Sequence, residues 1–115
     1  MKEVLLRKEA TQDLAAGALA YSYTFTRDGQ LDELMINFSA ACSQTVTITF
    51  DSVTGANYDT VLKTDILSAA SDFFFQPTRP KWFQKGDKLV IGITSGGTAV
   101  AYMTAFLKEV GTWAA

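Results

Sequence analysis

The chain has 115 residues, which is enough for one domain with one hydrophobic core and too few for two. Hydrophobic residues make up 48% and charged residues 19% of the sequence, a balance that excludes global disorder. The net charge is −2 and the ten lysines and arginines are scattered, so no basic stripe is available to bind nucleic acid.

Membrane, disulfide and metal chemistry are also not expected. The sequence contains no long apolar run, signal peptide or lipidation motif, so we expect no membrane contact. Histidine is absent and Cys42 is the single cysteine, which excludes an intrachain disulfide and removes the usual zinc and copper ligand sets. We therefore expect no metal and no cofactor, with Cys42 as a small buried residue.

The first half of the chain has the patterns of four strands. Residues 2–9 place apolar residues between charges, which suits a short strand or an extended arm within residues 1–17. Residues 20–26 alternate aromatic and hydroxyl side chains. The Asp28-Gly29 pair that follows predicts a hairpin back into residues 31–39. That returning strand alternates, with Leu34, Ile36 and Phe38 facing the core opposite Glu33, Met35, Asn37 and Ser39. Residues 44–51 alternate in the same way.

Four more strands are predicted in the second half. After a turn at residues 52–57, a strand runs through 58–66, and the next, 71–76, holds three consecutive phenylalanines. Because strand side chains alternate, Phe74 must point away from its two neighbours. Prolines end this strand, and the loop carrying Trp82 and Phe83 is expected to cover the core. The last two strands, 88–94 and 98–110, are separated by a glycine turn, and the final one is apolar on both faces.

Short strands with frequent turns and no convincing helix predict an all-β fold. We expect an antiparallel β-sandwich of about eight strands, of the Greek-key or jelly-roll kind, over residues 18–110. Residues 111–115 are then a C-terminal tail.

Catalytic signatures are missing from the sequence. Serine or cysteine nucleophiles lack a histidine base. A carboxylate hydrolase is a remote alternative, because the aspartates that could pair lie at turns and strand ends, where aspartate is favoured for local hydrogen bonds. They are Asp51, Asp59, Asp65, Asp72 and Asp87. Calcium binding by Asp51, Asn57 and Asp59 lacks the EF-hand order. We expect a binding or assembly protein, not an enzyme.

An aromatic and apolar surplus remains once the strands are assigned. Six aromatics stand out, and most of them are expected in the core. They are Phe74, Trp82, Phe83, Tyr102, Phe106 and Trp113. The others could form a contact patch with a partner. The partner-binding residues predicted from this group are Phe74, Trp82, Phe83, Tyr102 and Trp113.

The order of strand and turn residues resembles small β-sandwich virion proteins of tailed bacteriophages. The resemblance spans roughly residues 20–109 and contains no catalytic motif. It rests on Arg27-Asp28-Gly29-Gln30-Leu31, Phe38-Ser39-Ala40, Val46-Thr47-Ile48-Thr49-Phe50-Asp51, Gly55-Ala56-Asn57-Tyr58-Asp59, Phe75-Gln76-Pro77 and Lys85-Gly86-Asp87-Lys88-Leu89.

The resemblance implies a capsid decoration or cement protein that binds the major capsid protein or other virion subunits. It also implies a homo-oligomer, with a trimer favoured, and a place in the virion after assembly in the bacterial host cytoplasm. Tail, connector or fibre attachment roles fit the sequence as well. A host-surface or glycan-binding module, with Trp82 or Trp113 stacking on sugar rings, is a further alternative.

Overall fold

The chain folds into two four-stranded antiparallel sheets packed face to face. In the computed structural model, residues 2–79 and 81–111 are described. The strands are β1 (Lys2–Asp13), β2 (Leu19–Thr24), β3 (Gly29–Cys42), β4 (Thr45–Asp51), β5 (Thr60–Ile66), β6 (Ala70–Phe75), β7 (Lys88–Ile93) and β8 (Val100–Gly111). A short 3₁₀ turn, Ala56–Tyr58, precedes β5.

Strand order identifies a jelly roll. One sheet has the order β1-β8-β3-β6 and the other β2-β7-β4-β5, so the chain passes between sheets at every connection except β4 to β5. Eight strands in two such interleaved sheets are the jelly-roll arrangement. The predicted all-β sandwich is therefore confirmed, and each predicted strand segment overlaps an observed strand.

The core lies between the sheets and follows the period-two pattern of the sequence. In β3 it takes Leu34, Ile36 and Phe38, all buried. In β8 it takes the small residue Ala101 together with Met103, while Tyr102 between them points outward. Cys42 is buried at the end of β3, as expected for a small apolar side chain.

The predicted hairpin across Asp28-Gly29 is wrong. β2 pairs with β7, whereas β3 pairs with β8 and β6, so the two segments lie in opposite sheets. Gly29 has no positive φ and does not serve as a turn residue. It is buried where β3 begins, and it exchanges backbone hydrogen bonds with Phe83 of 2.9 and 2.6 Å. Glycine is needed here for close approach of distant segments.

β1 pairs with β8 along its whole length, from Lys2 opposite Gly111 to Asp13 opposite Val100. The register contains no shift. The N-terminal segment is therefore a full strand at the edge of one sheet, and it leaves the free side of that sheet unpaired.

Candidate interaction surfaces

The outer face of the sheet β1-β8-β3-β6 carries neighbouring exposed apolar side chains. Met35 on β3 lies opposite Phe74 on β6, and two residues further along β3 Asn37 lies opposite Tyr102 on β8. Directly paired residues of an antiparallel sheet point to the same face. Met35, Phe74 and Tyr102 are 40%, 58% and 47% exposed. We call these three residues the outer patch.

Polar side chains surround the outer patch. Asn37, Asp72 and Thr104 line the same shallow depression, of about 400 Å³, as the three apolar residues. Half-buried Phe106 extends the outward face of β8 toward Lys108. An apolar centre within a hydrogen-bonding rim is the usual composition of a protein contact site.

Trp82 lies elsewhere, in the loop before β7, and is 57% exposed. Two shallow clefts share Trp82 and Phe50 as lining residues. One is also lined by Thr60, Leu62 and Lys81, the other by Tyr58, Ser52, Thr54, Gln84 and Asp87. Open space therefore flanks the indole, and exposed Tyr58 lines one of the two clefts. We call this second cleft, about 270 Å³ in volume, the Trp82 cleft.

Phe83 belongs to the core and not to an exposed surface. It is 1% exposed, its ring stacks on Phe25 at 4.7 Å between centroids and it meets Phe50 edge-on at 5.1 Å. In this fold Phe83 is therefore not available to a partner. Trp113 lies outside the described residues.

The expectation that most of the six aromatics are core differs from the structure. Of the five that lie in the described residues, Phe83 is buried and Phe106 half-buried, while the other three are exposed. Sequence reasoning also missed Met35 and Tyr58 as members of the two surfaces. The available signal for Met35 was its position among polar residues on the outward side of an alternating strand.

A buried carboxylate ties β8 to the end of β2. Glu109 is buried and accepts a 2.7 Å hydrogen bond from the Tyr23 hydroxyl and a 3.2 Å bond from the Thr26 backbone N–H. The Thr26 hydroxyl donates to the same carboxylate at 3.2 Å. Lys8 lies over the Tyr23 ring, 5.4 Å from its centroid. Burial raises the pKa of Tyr23, and the hydrogen bond and negative charge of Glu109 raise it further.

This arrangement predicts a loss of stability at alkaline pH. Unfolded tyrosine loses its proton near pH ~10, whereas folded Tyr23 keeps it to higher pH because its pKa is raised. The stabilising contribution is thus complete below that pH and is lost as the pH rises toward the folded pKa. Urea unfolding at several alkaline pH values should show this fall.

In Tyr23→Phe the free energy of unfolding should decrease less at alkaline pH, because the titrating hydroxyl is gone. Tyr21→Phe should reduce this decrease to a smaller extent, since only burial raises the pKa of Tyr21. An alkaline slope that is unchanged in Tyr23→Phe would assign the loss of stability to other groups.

Two of the aspartates considered for catalysis are engaged by backbone N–H groups. Asp59 accepts the Ser52 backbone N–H at 2.8 Å, and Asp87 accepts those of Val53 and Gln84. Across residues 2–79 and 81–111, no group of three or more cysteine, aspartate or glutamate side chains could hold a metal ion. The same ranges contain no helix long and apolar enough to cross a membrane.

Comparison with known proteins supports the fold. No family model and no curated protein sequence matches the chain. A chain of the Bacillus endospore appendages, which form a novel family of disulfide-linked pili, has a similar structure, with a TM-score of 0.50 and 17% identity. The match covers 96% of this chain and 89% of that chain. At this identity the similarity shows a shared small all-β fold and is not specific to phage proteins.

Proposed function

We propose that this chain is a non-enzymatic structural subunit that binds a neighbouring protein through the outer patch. The observation that carries the proposal is the cluster of three large exposed apolar side chains on one sheet face. Burying a fully exposed side chain of this size contributes about 1.5 to 3 kcal/mol, and about half of each of these three side chains is still exposed. Three neighbours with a polar rim therefore suffice for a specific contact in an assembly that repeats it many times.

The absence of histidine and the engaged aspartates also support a structural role. Histidine is absent from the whole sequence, and the carboxylates of Asp59 and Asp87 are engaged by backbone N–H groups. The structurally similar endospore appendage chain is described as forming pili, which is an assembly role. Its disulfide linkage is not carried over, because the single cysteine here is buried.

The finer proposal is a virion protein of a tailed bacteriophage. Its motivation is the resemblance of the strand and turn residues to such proteins, and its most specific form is a capsid decoration protein that stabilises the shell surface. Tail, connector and fibre attachment roles use the same kind of contact. The partner in each case is a protein subunit that presents an apolar surface to Phe74 and Tyr102.

The proposal is tested by following the chain into particles. Particles are purified on a density gradient from a culture that carries the gene, and the chain is detected across the fractions. Wild-type chain should sediment with particles of virion size. The Phe74→Lys, Tyr102→Lys double variant should stay in the free fraction, because two buried lysines in the contact lose their hydration without gaining a partner.

Val61→Lys on β5 is the matched control, since Val61 is 55% exposed and lies in the other sheet. It should sediment like the wild type. Thermal melting of all variants should agree closely, because each change is at an exposed site. If the double variant still enters particles, the outer patch is not the contact. If wild-type chain never does, a virion role is wrong.

The Trp82 cleft favours a second candidate function, a glycan-binding module. Sugar rings present an apolar C–H face that stacks on indole and phenol rings, and Ser52, Thr54 and Gln84 supply polar groups at the rim. On a glycan array, wild-type chain would bind at least one class of sugar and Trp82→Ala would lose that binding, with Phe74→Lys unaffected. A signal that Trp82→Ala leaves unchanged would remove this candidate.

A further inference from the structure

The free edge of β1 is a long template for strand pairing. β1 is the terminal strand of its sheet and spans twelve residues, with no proline, glycine or register shift to interrupt it. The other edge of the same sheet, β6, has six residues and an irregular register. Proteins usually protect a long regular edge, because its unpaired N–H and C=O groups bind other strands.

The direction of the backbone groups on β1 follows from its pairing with β8. The Leu14 N–H donates to the Ala99 carbonyl at 3.1 Å, in the same register as the β1–β8 pairs. Antiparallel strands alternate between hydrogen-bonded and non-hydrogen-bonded pairs. Even-numbered residues of β1 therefore bond to β8, and odd-numbered residues, Glu3 through Asp13, direct their backbone groups to the free edge.

Exposed apolar side chains lie along the same edge. Leu5, on the outward face, is 74% exposed. Val4, on the inward face next to Leu6, is 39% exposed at the margin of the sandwich. Glu3 and Arg7 flank Leu5 on the outward face and are both exposed. A second strand laid along this edge would cover the leucine and meet both charges.

We propose that β1 pairs antiparallel with β1 of a second copy of this chain, about a two-fold axis through Leu5. In this register Glu3 lies opposite the partner's Arg7, and by symmetry Arg7 lies opposite the partner's Glu3. Leu5 meets its own copy, and Val4 lies opposite the partner's Leu6. The odd-numbered residues form the hydrogen-bonded pairs, as their backbone direction requires. The two sheets become one continuous eight-stranded sheet.

Three longer neighbouring registers are disfavoured by like-charge pairs. An axis through Leu6 places Glu3 opposite the partner's Glu9, and an axis through Arg7 places that arginine opposite its own copy. An axis through Lys8 pairs Arg7 with the partner's Glu9 twice, but it opposes the two Lys8 residues and also places Glu3 opposite the partner's Asp13 twice. Like charges directly opposite each other destabilise a strand pair, whereas opposite charges stabilise it. The axis through Leu5 pairs opposite charges twice on the outward face and places no like charges opposite each other on that face.

Two symmetry-related like-charge pairs remain, one at each end of the paired stretch, where Lys2 lies opposite the partner's Lys8 and Lys8 opposite the partner's Lys2. The Lys8 amine lies 5.4 Å from the centroid of the Tyr23 ring within its own subunit. The cation–π contact lowers the cost of this position.

The test is the mass of the full chain in solution over about a hundredfold range of concentration, measured by light scattering after gel filtration. Wild-type chain should approach twice the monomer mass of 12.5 kDa as the concentration rises. Glu3→Arg and Arg7→Glu should each weaken the dimer about tenfold, because each converts two attractive pairs into two repulsive ones. The double variant Glu3→Arg, Arg7→Glu should restore the wild-type dissociation constant to within about threefold.

Glu9→Arg is the matched control, since Glu9 is on the same face but outside the paired stretch, and it should dimerise normally. Circular dichroism melts of all four variants check that they are folded. A chain that stays monomeric, a trimer, or a mass that grows without limit would overturn the proposal, and so would a double variant that is not restored. Phe74→Lys should leave the dimer intact, so this result is independent of the outer patch.

Discussion

Gly29→Ala is expected to destabilise the fold by about 3 kcal/mol or more, at the upper end of the range for overpacking a core. A Cβ atom at this position would clash with the Lys108 backbone carbonyl and would lie 2.7 Å from the nearest carbon of the Phe25 ring. Lys108 pairs with Gln30 in the β3–β8 register, so its carbonyl cannot retreat without opening that ladder. Phe25 is itself held by the stacked Phe83 ring.

Urea unfolding followed by circular dichroism measures this effect. Gly17→Ala is the matched control, because a Cβ there would meet only the Gln12 amide nitrogen, at 3.6 Å, and its φ is not positive. The control should change the free energy of unfolding by less than about 1 kcal/mol. Equal effects at the two glycines would contradict the close-approach explanation for Gly29.

The same glycine shows why a local pattern misidentified one connection. Asp-Gly between alternating segments usually marks a hairpin because glycine accepts positive φ. Here the reason for glycine is a contact with Phe83 and Lys108, which are far away in sequence. A pattern confined to neighbouring residues contains no information on such an approach, so the sequence predicted the strands on both sides but not their partners.

The strands themselves were predictable because one side of each faces the core. The alternating pattern predicts that Val46 and Ile48 in β4 are buried, and likewise Leu89 and Ile91 in β7. All four are buried in the structure. Sheet order depends on which buried faces fit together across the whole domain. It emerges only when all eight strands pack, so it was not available from any one segment.

The outer patch was partly predictable by the same parity. Phe74 had to oppose its two phenylalanine neighbours, and Tyr102 belonged to a strand that is apolar on both faces. Trp82 and Phe83 could not be separated in this way, because a loop has no side-chain period. The pairing of Phe83 with Gly29 decides which of the two aromatics enters the core.

The two candidate surfaces lie on different sheets, and this separates their functions. The outer patch is built from β3, β6 and β8, whereas the Trp82 cleft is formed by β4 and the loops around it. Residues more than about 7 to 10 Å apart with no shared partner act independently. A defect in the cleft should therefore leave a contact made by the outer patch unchanged as long as the domain is folded.

Asp87→Ala is the second large expected effect, a loss of about 3 kcal/mol. Asp87 is 4% exposed, and its two carboxylate oxygens accept the Val53 and Gln84 backbone N–H groups at 2.8 and 2.7 Å. Hydrogen bonds to a charged group contribute about 1.5 to 3 kcal/mol each, and removing the acceptor leaves two donors without a partner. Chemical denaturation measures the loss. Asp59→Ala, which removes one exposed bond to Ser52, is the control and should cost less than about 1 kcal/mol.

Because Asp87 lies beside the Trp82 cleft, the Asp87→Ala variant also tests the function of that cleft. The two partners of Asp87 belong to the segments that carry Ser52, Thr54 and Gln84, three lining residues of the Trp82 cleft. In Asp87→Ala below its melting temperature, the two segments lose the carboxylate that both of them bind. Glycan binding should therefore decrease, and the fluorescence of Trp82 should change. Particle binding through the outer patch should persist. If both activities fall together in a variant that is still folded, the two surfaces are coupled and cannot be assigned separate roles.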